Sequence, residues 1–139
     1  MKAIIDTPIW SVALRRARTA GPREEPIVRE LGLLIDEGRA ALIGPIRQEV
    51  LSGVRDRRQH LLLRDRLRAF RDLEIRREDY ERAAEYFSVC RAAGIQGSHV
   101  GFLICAVSVA NDMPVFTTDA DFALYAKQLP LELHVVRGT

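Results

Sequence analysis

Short apolar segments alternate with helical patterns along the 139 residues, and this alternation predicts an α/β fold. Residues 3–5 and 41–43 are apolar runs of strand length, and residues with helical spacing follow each of them. Strands that are joined through helices form right-handed crossovers and therefore lie parallel in one sheet. We expect a single three-layer α/β/α domain, residues 1–139, with a central, mostly parallel sheet.

The individual elements follow from local patterns. Four segments read as buried strands, namely 3–5, 41–43, 115–117 and 131–136. Helical spacing marks a helix beginning near Trp10 and further helical segments at 27–38, 45–54, 55–94, 98–110 and 121–127. Residues 19–26 form a turn or loop by composition, and residues 72–75 interrupt the long helical stretch and could add a strand. Gly38 is typical of a helix end, Pro45 of a first helical residue and Ser98 of a helix N-cap.

Composition bounds the class of protein. No apolar stretch reaches the length that crosses a bilayer, and the N-terminus lacks the pattern of a signal peptide. Cys90 and Cys105 are the only cysteines, which suits a reducing compartment better than a disulfide framework. The net charge of +2 is too small to indicate nucleic-acid binding by itself. We expect a soluble cytoplasmic protein with no membrane partner.

Acidic residues occur where predicted strands end or helices begin. Asp6 follows the first strand, Asp119 and Asp121 follow residues 115–117, and Glu49 lies in the helix that opens at Pro45. Carboxylates at the carboxyl ends of parallel strands converge in space. Because like charges repel, such a cluster indicates a bound divalent cation. Helix capping is the competing interpretation for Asp6 taken alone.

Several stretches together resemble the PIN-domain nucleases and, within them, the VapC-type toxins of toxin–antitoxin pairs. The stretches that carry the resemblance are Ile5-Asp6-Thr7 with Trp10-Ser11, residues 47–53 (RQEVLSG), residues 97–106 (GSHVGFLICA) and residues 116–122 (FTTDADF). They lie in the matching order and spacing over the whole length of the chain.

The resemblance implies a ribonuclease that uses Mg²⁺ or Mn²⁺ held by an acidic cluster. The four acids of that family would match Asp6, Glu49, the position of Gly101, and Asp119. Asp121 would match a frequently acidic neighbour that also contacts the metal, and Thr7 or Thr117 would orient a carboxylate or a water on the metal. The resemblance also implies an RNA substrate, a cognate antitoxin protein as partner, and a homodimer.

Gly101 departs from this pattern, because an acid is expected in its place. An acid in the first turn of a helix is favoured by about 0.3–1 kcal/mol, whereas glycine costs about 1 kcal/mol relative to alanine. Either the glycine is a loss-of-activity substitution, which we favour, or a divergent site works with three acids. We therefore expect an impaired nuclease.

Two other functions compete with a nuclease. The first is a catalytically inactive binding module that engages an antitoxin or RNA. The second is phosphoryl transfer with Asp6 as nucleophile, which is disfavoured because Pro8 stands where such enzymes want a second aspartate.

Overall fold

The computed structural model describes residues 1–16 and 21–138. The strands are β1 (Ala3–Ile5), β2 (Ala40–Ala41) and β3 (Val115–Phe116). The helices are α1 (Thr7–Arg16), α2 (Glu25–Asp36), α3 (Gly44–Ser52), α4 (Arg57–Leu67), α5 (Arg77–Ala92), α6 (His99–Asn111) and α7 (Asp121–Gln128).

The three strands form one parallel sheet in the order β2–β1–β3. The central strand β1 is fully buried, and the amide of Asp6, just beyond its end, donates to the carbonyl of Phe116 at 2.9 Å. The chain leaves β1 toward one neighbour and later returns on the other side, so the strand order reverses at β1. In parallel sheets a crevice forms outside the carboxyl ends of the strands at such a point. Asp6 therefore stands at the sheet edge where ligands bind in folds of this kind.

The predicted three-layer α/β/α fold is wrong. Within the described residues, seven helices account for most of the structure, with 58% helix against 8% strand. The predicted strand at 131–136 is reduced to a single bridge between Leu133 and Val115, and residues 72–75 contribute one bridge between Asp72 and Leu42. An apolar run of a few residues can pack against a core without pairing as a strand. The chain is a mostly helical fold around a small parallel sheet.

Helix ends follow the local signals more closely. The side chain of Ser98 caps α6 by accepting a hydrogen bond from the amide of Gly101 at 2.9 Å, as the sequence predicts. Gly38 lies beyond α2 with a positive φ of 69°, a conformation that glycine adopts without strain. The stretch 55–94 is two helices, α4 and α5, and the predicted interruption at residues 72–75 lies between them. Residues 19 and 20 of the predicted loop lie outside the described residues, and residues 21–24 form a turn before α2.

Helix α6 forms the centre of the core. Residues 101–108 are all buried, and the helix packs against α5 and β3. At the carboxyl end of β1, the indole of Trp10 donates to the carbonyl of Ile5 at 3.0 Å, which ties α1 to β1. Among the helices of the described residues, none combines the length and the apolar character needed to cross a membrane.

Candidate functional site

Asp6 is the most buried acid at the sheet edge, with 5% of its surface exposed. Its Oδ1 accepts a hydrogen bond from the amide of Thr7 at 2.8 Å, and its Oδ2 accepts one from the hydroxyl of Thr117 at 2.7 Å. Burial raises the pKa of Asp6 above its usual value, and the charge of Asp119 adds to this rise. The two hydrogen bonds act against it. Asp6 is thus held rigidly in a site that disfavours an uncompensated negative charge.

The loop after β3 places a second carboxylate beside Asp6. The hydroxyl of Thr117 accepts a hydrogen bond from the amide of Asp119 at 3.0 Å while it donates to Asp6. Oδ1 of Asp119 accepts a hydrogen bond from the amide of Asp121 at 2.9 Å, at the start of α7. Thr117 is therefore the bridge between the two acidic segments, which are more than a hundred residues apart in sequence. Asp121 lies in the first turn of α7, where a helix favours negative charge.

Glu49 approaches the same region from α3. Burial raises the pKa of Glu49, and the charge of Asp6 raises it further, so the two carboxylates interact. Glu49 and Thr7 line a cavity of about 470 Å³. The other residues that line this cavity are Pro45, Gln48, Ser52, Gly53 and Val100. A cleft next to the acids is therefore formed by α1, α3 and the start of α6.

The nearby arginine on α3 does not neutralise these acids. The guanidinium of Arg47 donates to Asp72 at 2.7 and 3.0 Å and to the carbonyls of Leu67 and Phe70 at 3.0 and 2.7 Å. Among the ion pairs found within residues 1–16 and 21–138, none involves Asp6, Glu49 or Asp119. Within the described residues, the negative charge at the sheet edge therefore has no ion-pair partner.

Gly101 lies in the first turn of α6, facing two other side chains. A Cβ atom at this position would lie 2.9 Å from the Ser98 hydroxyl oxygen and 3.5 Å from the hydroxyl oxygen of Tyr125. One turn earlier, a Cβ atom at Gly97 would overlap the Tyr125 hydroxyl and lie 2.8 Å from two ring atoms of Phe102. Tyr125 on α7 is therefore a neighbour of the site that sequence reasoning missed. The only sequence signal for it is the pair of glycines four residues apart.

The donor chemistry of the site fits a hard divalent cation, although the side chains are not gathered around one point. In the described part of the chain, no group of three or more His, Cys, Asp or Glu side chains is arranged to hold a metal. Mg²⁺ and Mn²⁺ take oxygen ligands, and Mg²⁺ keeps several waters, so a few carboxylates suffice. The hydroxyl oxygen of Thr7 is the one buried side-chain polar atom of the described residues without a hydrogen-bond partner. An orphaned oxygen beside uncompensated acids is consistent with a ligand at this position.

Comparison with solved structures finds chains of the same fold. A crystal structure of FitAcB from Neisseria gonorrhoeae matches with a TM-score of 0.75 and 19% identity over 99% of both chains. A structure of VapBC2 from Rickettsia felis bound to a DNA fragment from their promoter matches with a TM-score of 0.74 and 16% identity, over 96% of this chain and 98% of that one. A structure of FitAB bound to an IR36 DNA fragment gives 0.72 and 18% over 99% of both chains.

The other two comparisons find nothing. No protein-family model and no curated protein matches this chain. The sequence-based identification as a PIN-domain nuclease of the VapC type is therefore corrected, because no match to a VapC PIN domain is shown and the fold is mostly helical with a small sheet. At 16–19% identity the structural matches establish a shared fold and no more.

Proposed function

We propose that this chain is one component of a type II toxin–antitoxin pair and that it is a divalent-metal-dependent endoribonuclease, impaired by the glycine at position 101. The observation that supports a nuclease is the linked arrangement of Asp6, Thr117 and Asp119 at the sheet edge, with Glu49 interacting across the cleft. Full-length likeness to chains from FitAcB and VapBC2, which belong to toxin–antitoxin systems, supports the wider role.

Asp6, Glu49 and Asp119 would hold a Mg²⁺ or Mn²⁺ ion, with Asp121 nearby. When bound, such an ion supplies the Lewis-acid chemistry that phosphodiester hydrolysis needs. The chain's own residues would contribute orientation, exclusion of water and space for the substrate. Thr117 fixes the orientation of Asp6, the burial of Asp6 excludes bulk water from one side, and the cleft beside Glu49 provides room for a phosphodiester.

The partners follow from the same proposal. The chain would bind a cognate antitoxin protein, form a homodimer, cleave RNA and act in the cytoplasm. The structural neighbours are complexes with a partner protein, and two of them contain DNA, which supports a protein partner and a dimer. The acidic site supports only phosphodiester hydrolysis, and the choice of RNA as the substrate comes from the sequence resemblance alone.

A glycine at position 101 removes one carboxylate from the site and weakens it. A Cβ atom at position 101 would require only the Ser98 hydroxyl to move, because Tyr125 would lie at an ordinary contact distance of 3.5 Å, and we therefore expect Gly101→Asp to be tolerated. Loss of that N-cap costs about 1 kcal/mol, and replacing glycine in a helix returns about as much. These two effects offset each other, but the added carboxylate is repelled by its acidic neighbours, so we expect the variant to fold and to be less stable than the native chain when no cation is bound.

A catalytically inactive binding module is the second candidate. It is favoured by the lack, within the described residues, of a gathered group of three metal-binding side chains. In that case the chain would engage its antitoxin or RNA without any requirement for a metal ion.

The test is cleavage of RNA with Mg²⁺ and with Mn²⁺ by three proteins. These are the chain itself, Gly101→Asp, and Gly101→Asp combined with Asp6→Asn. Weak cleavage that rises in the second protein and disappears in the third supports the nuclease. No cleavage by any of the three, with folding verified by circular dichroism, would favour the binding module.

A further inference from the structure

A row of packed rings extends from the core to the surface at the start of α6. Phe102 is 1% exposed, and the half-buried ring of Phe87 packs against it in a T-shaped arrangement, with centroids 5.6 Å apart. The imidazole ring of His99 stacks on Phe87, with centroids 5.2 Å apart and an angle of 13° between the two planes. Because Phe87 is itself packed against the core, it restricts the positions that the His99 ring can adopt.

His99 is exposed to solvent although its ring stacks on a neighbour. It is the first residue of α6 and directly precedes Val100, which lines the same cleft as Glu49. His99 therefore lies beside one wall of the cleft and presents a planar ring there.

A cationic side chain accompanies this stack. The guanidinium carbon of Arg91, one helical turn after Phe87 on α5, lies 5.4 Å from the centroid of the Phe87 ring. Arg91 is exposed, and in the part of the chain that the structure describes no ion pair includes it. A guanidinium group over an aromatic ring keeps its hydrogen-bond donors available to a phosphate.

We propose that His99 is a stacking platform for one base of a single-stranded nucleic acid and that Arg91 contacts a phosphate of the same strand. Unpaired bases stack on aromatic side chains, and basic side chains nearby bind the backbone. A ring that is already held in place loses less conformational entropy on binding than a mobile one. The proposal rests on the function proposed above, because it places part of a nuclease substrate beside the cleft, but it requires no bound cation.

The test is fluorescence anisotropy with fluorescein-labelled single strands of RNA and of DNA, each of about ten nucleotides, in the presence of EDTA. His99→Ala should bind about ten times more weakly than the native chain, because base stacking is lost. His99→Leu, which packs on Phe87 but has no aromatic face, should lose as much affinity. His99→Phe keeps a stacking ring and should bind almost as tightly as the native chain. The strand that binds more tightly identifies the ligand as RNA or DNA.

Two controls separate stacking from general attraction to a polyanion. Tyr80→Ala should leave the affinity unchanged, because Tyr80 is exposed on α5 but stacks on no other ring of the described residues. Arg91→Gln should weaken binding of every sequence and reduce the slope of log Kd against log salt concentration by about 0.7. A duplex of the same sequence should bind more weakly than the single strand, because paired bases cannot stack on His99.

Native-like strand binding by folded His99→Ala or His99→Leu would overturn the platform. So would an equal loss in Tyr80→Ala, or no binding of either strand by the native chain. Strand binding that depends on His99, without RNA cleavage by Gly101→Asp in Mg²⁺ or Mn²⁺, would support the platform and overturn the nuclease. Cleavage by Gly101→Asp together with unchanged strand binding in His99→Ala would do the reverse.

Discussion

The surroundings of the Asp6 carboxylate disfavour its negative charge, so ionisation of Asp6 destabilises the folded state. Because the pKa of Asp6 is raised in the folded state, its favourable contribution is present below the unfolded-state pKa and is lost as pH rises through the folded-state pKa. The charge of Asp119 adds to the rise in the pKa of Asp6, and the charge of Asp6 in turn raises the pKa of Glu49. We therefore expect the protein without a bound cation to be less stable at neutral pH than at a pH where Asp6 is protonated.

Asp6→Asn tests this directly. In the presence of a chelator, the variant should melt a few degrees higher than the native chain at pH 7, and the difference should vanish near pH 4. Thermal melts followed by circular dichroism between pH 4 and 7.5 measure it. Glu81→Gln, at an exposed position within α5, is the control and should show no such pH-dependent gain. A native chain that is more stable than Asp6→Asn at pH 7 without metal would contradict this account of the site.

The glycines of the chain divide into those with close neighbours and those without. Gly97→Ala should destabilise the fold by about 1–3 kcal/mol, because the new methyl group overlaps the Tyr125 hydroxyl and the Phe102 ring. Gly32→Ala, within α2 and with nothing within 4 Å of the new atom, should instead be neutral or stabilising by up to about 1 kcal/mol. Urea unfolding of both variants measures the difference. Equal effects would show that Tyr125 does not constrain position 97.

A site residue can be predicted from the sequence where its position depends only on neighbouring residues along the chain. Asp6, Thr117 and Asp119 follow strands, so their neighbourhood could be predicted from the strand pattern. The position of Tyr125 beside Gly101 could not be predicted, because it depends on the packing of α7 against the start of α6. His134 carried no signal for the same reason, since its partner Glu30 is 104 residues away in the chain.

At the scale of elements, a cluster of ion pairs around one buried carboxylate connects the C-terminal segment to α2. Glu30 is 1% exposed and accepts hydrogen bonds from His134 and, at 2.9 Å, from Arg137. Arg137 also forms two hydrogen bonds with Glu37, at 2.7 and 3.0 Å. Burial alone would raise the pKa of Glu30, but the partners His134 and Arg137 together outweigh it and lower the pKa. Its contribution to stability is therefore present above the unfolded-state pKa and is lost as pH falls through the folded-state pKa.

Glu30→Gln should cost about 1.5–3 kcal/mol at pH 7, because it removes the charge-assisted hydrogen bond from Arg137 and the carboxylate oxygen that faces His134. The loss should shrink as the pH is lowered below 4. Urea unfolding at several pH values measures this, and Glu25→Gln in the first turn of the same helix should change the free energy of unfolding by no more than about 0.5 kcal/mol. A cost for Glu30→Gln that does not depend on pH would exclude a role for the charge of Glu30.

The helix ends could be predicted from the sequence better than the strands. The cap at Ser98 and the helix end before Gly38 depend on neighbouring residues, and local sequence identifies them. The strands depend on pairing with distant segments, so the length of β2 and the near absence of a strand at 131–136 could not be predicted from an apolar run. This is why the three-layer fold was wrong although the strands that do form are parallel.

For the whole molecule, the fold brings the ends of β1 and β3 together with α3, and this arrangement concentrates acids without cationic partners in the described chain. We propose that these acids together bind one divalent cation. The likeness to chains from FitAcB, FitAB and VapBC2 establishes the fold but not this site.

The most direct measurement is the stoichiometry and affinity of Mn²⁺ binding, by isothermal titration calorimetry, for the native chain, Asp6→Asn, Asp119→Asn and Lys127→Gln. We expect specific Mn²⁺ binding by the native chain, its loss in both aspartate variants, and unchanged binding in Lys127→Gln, which alters charge at the far end of α7. No binding by the folded native chain, or equal binding by all four proteins, would contradict it.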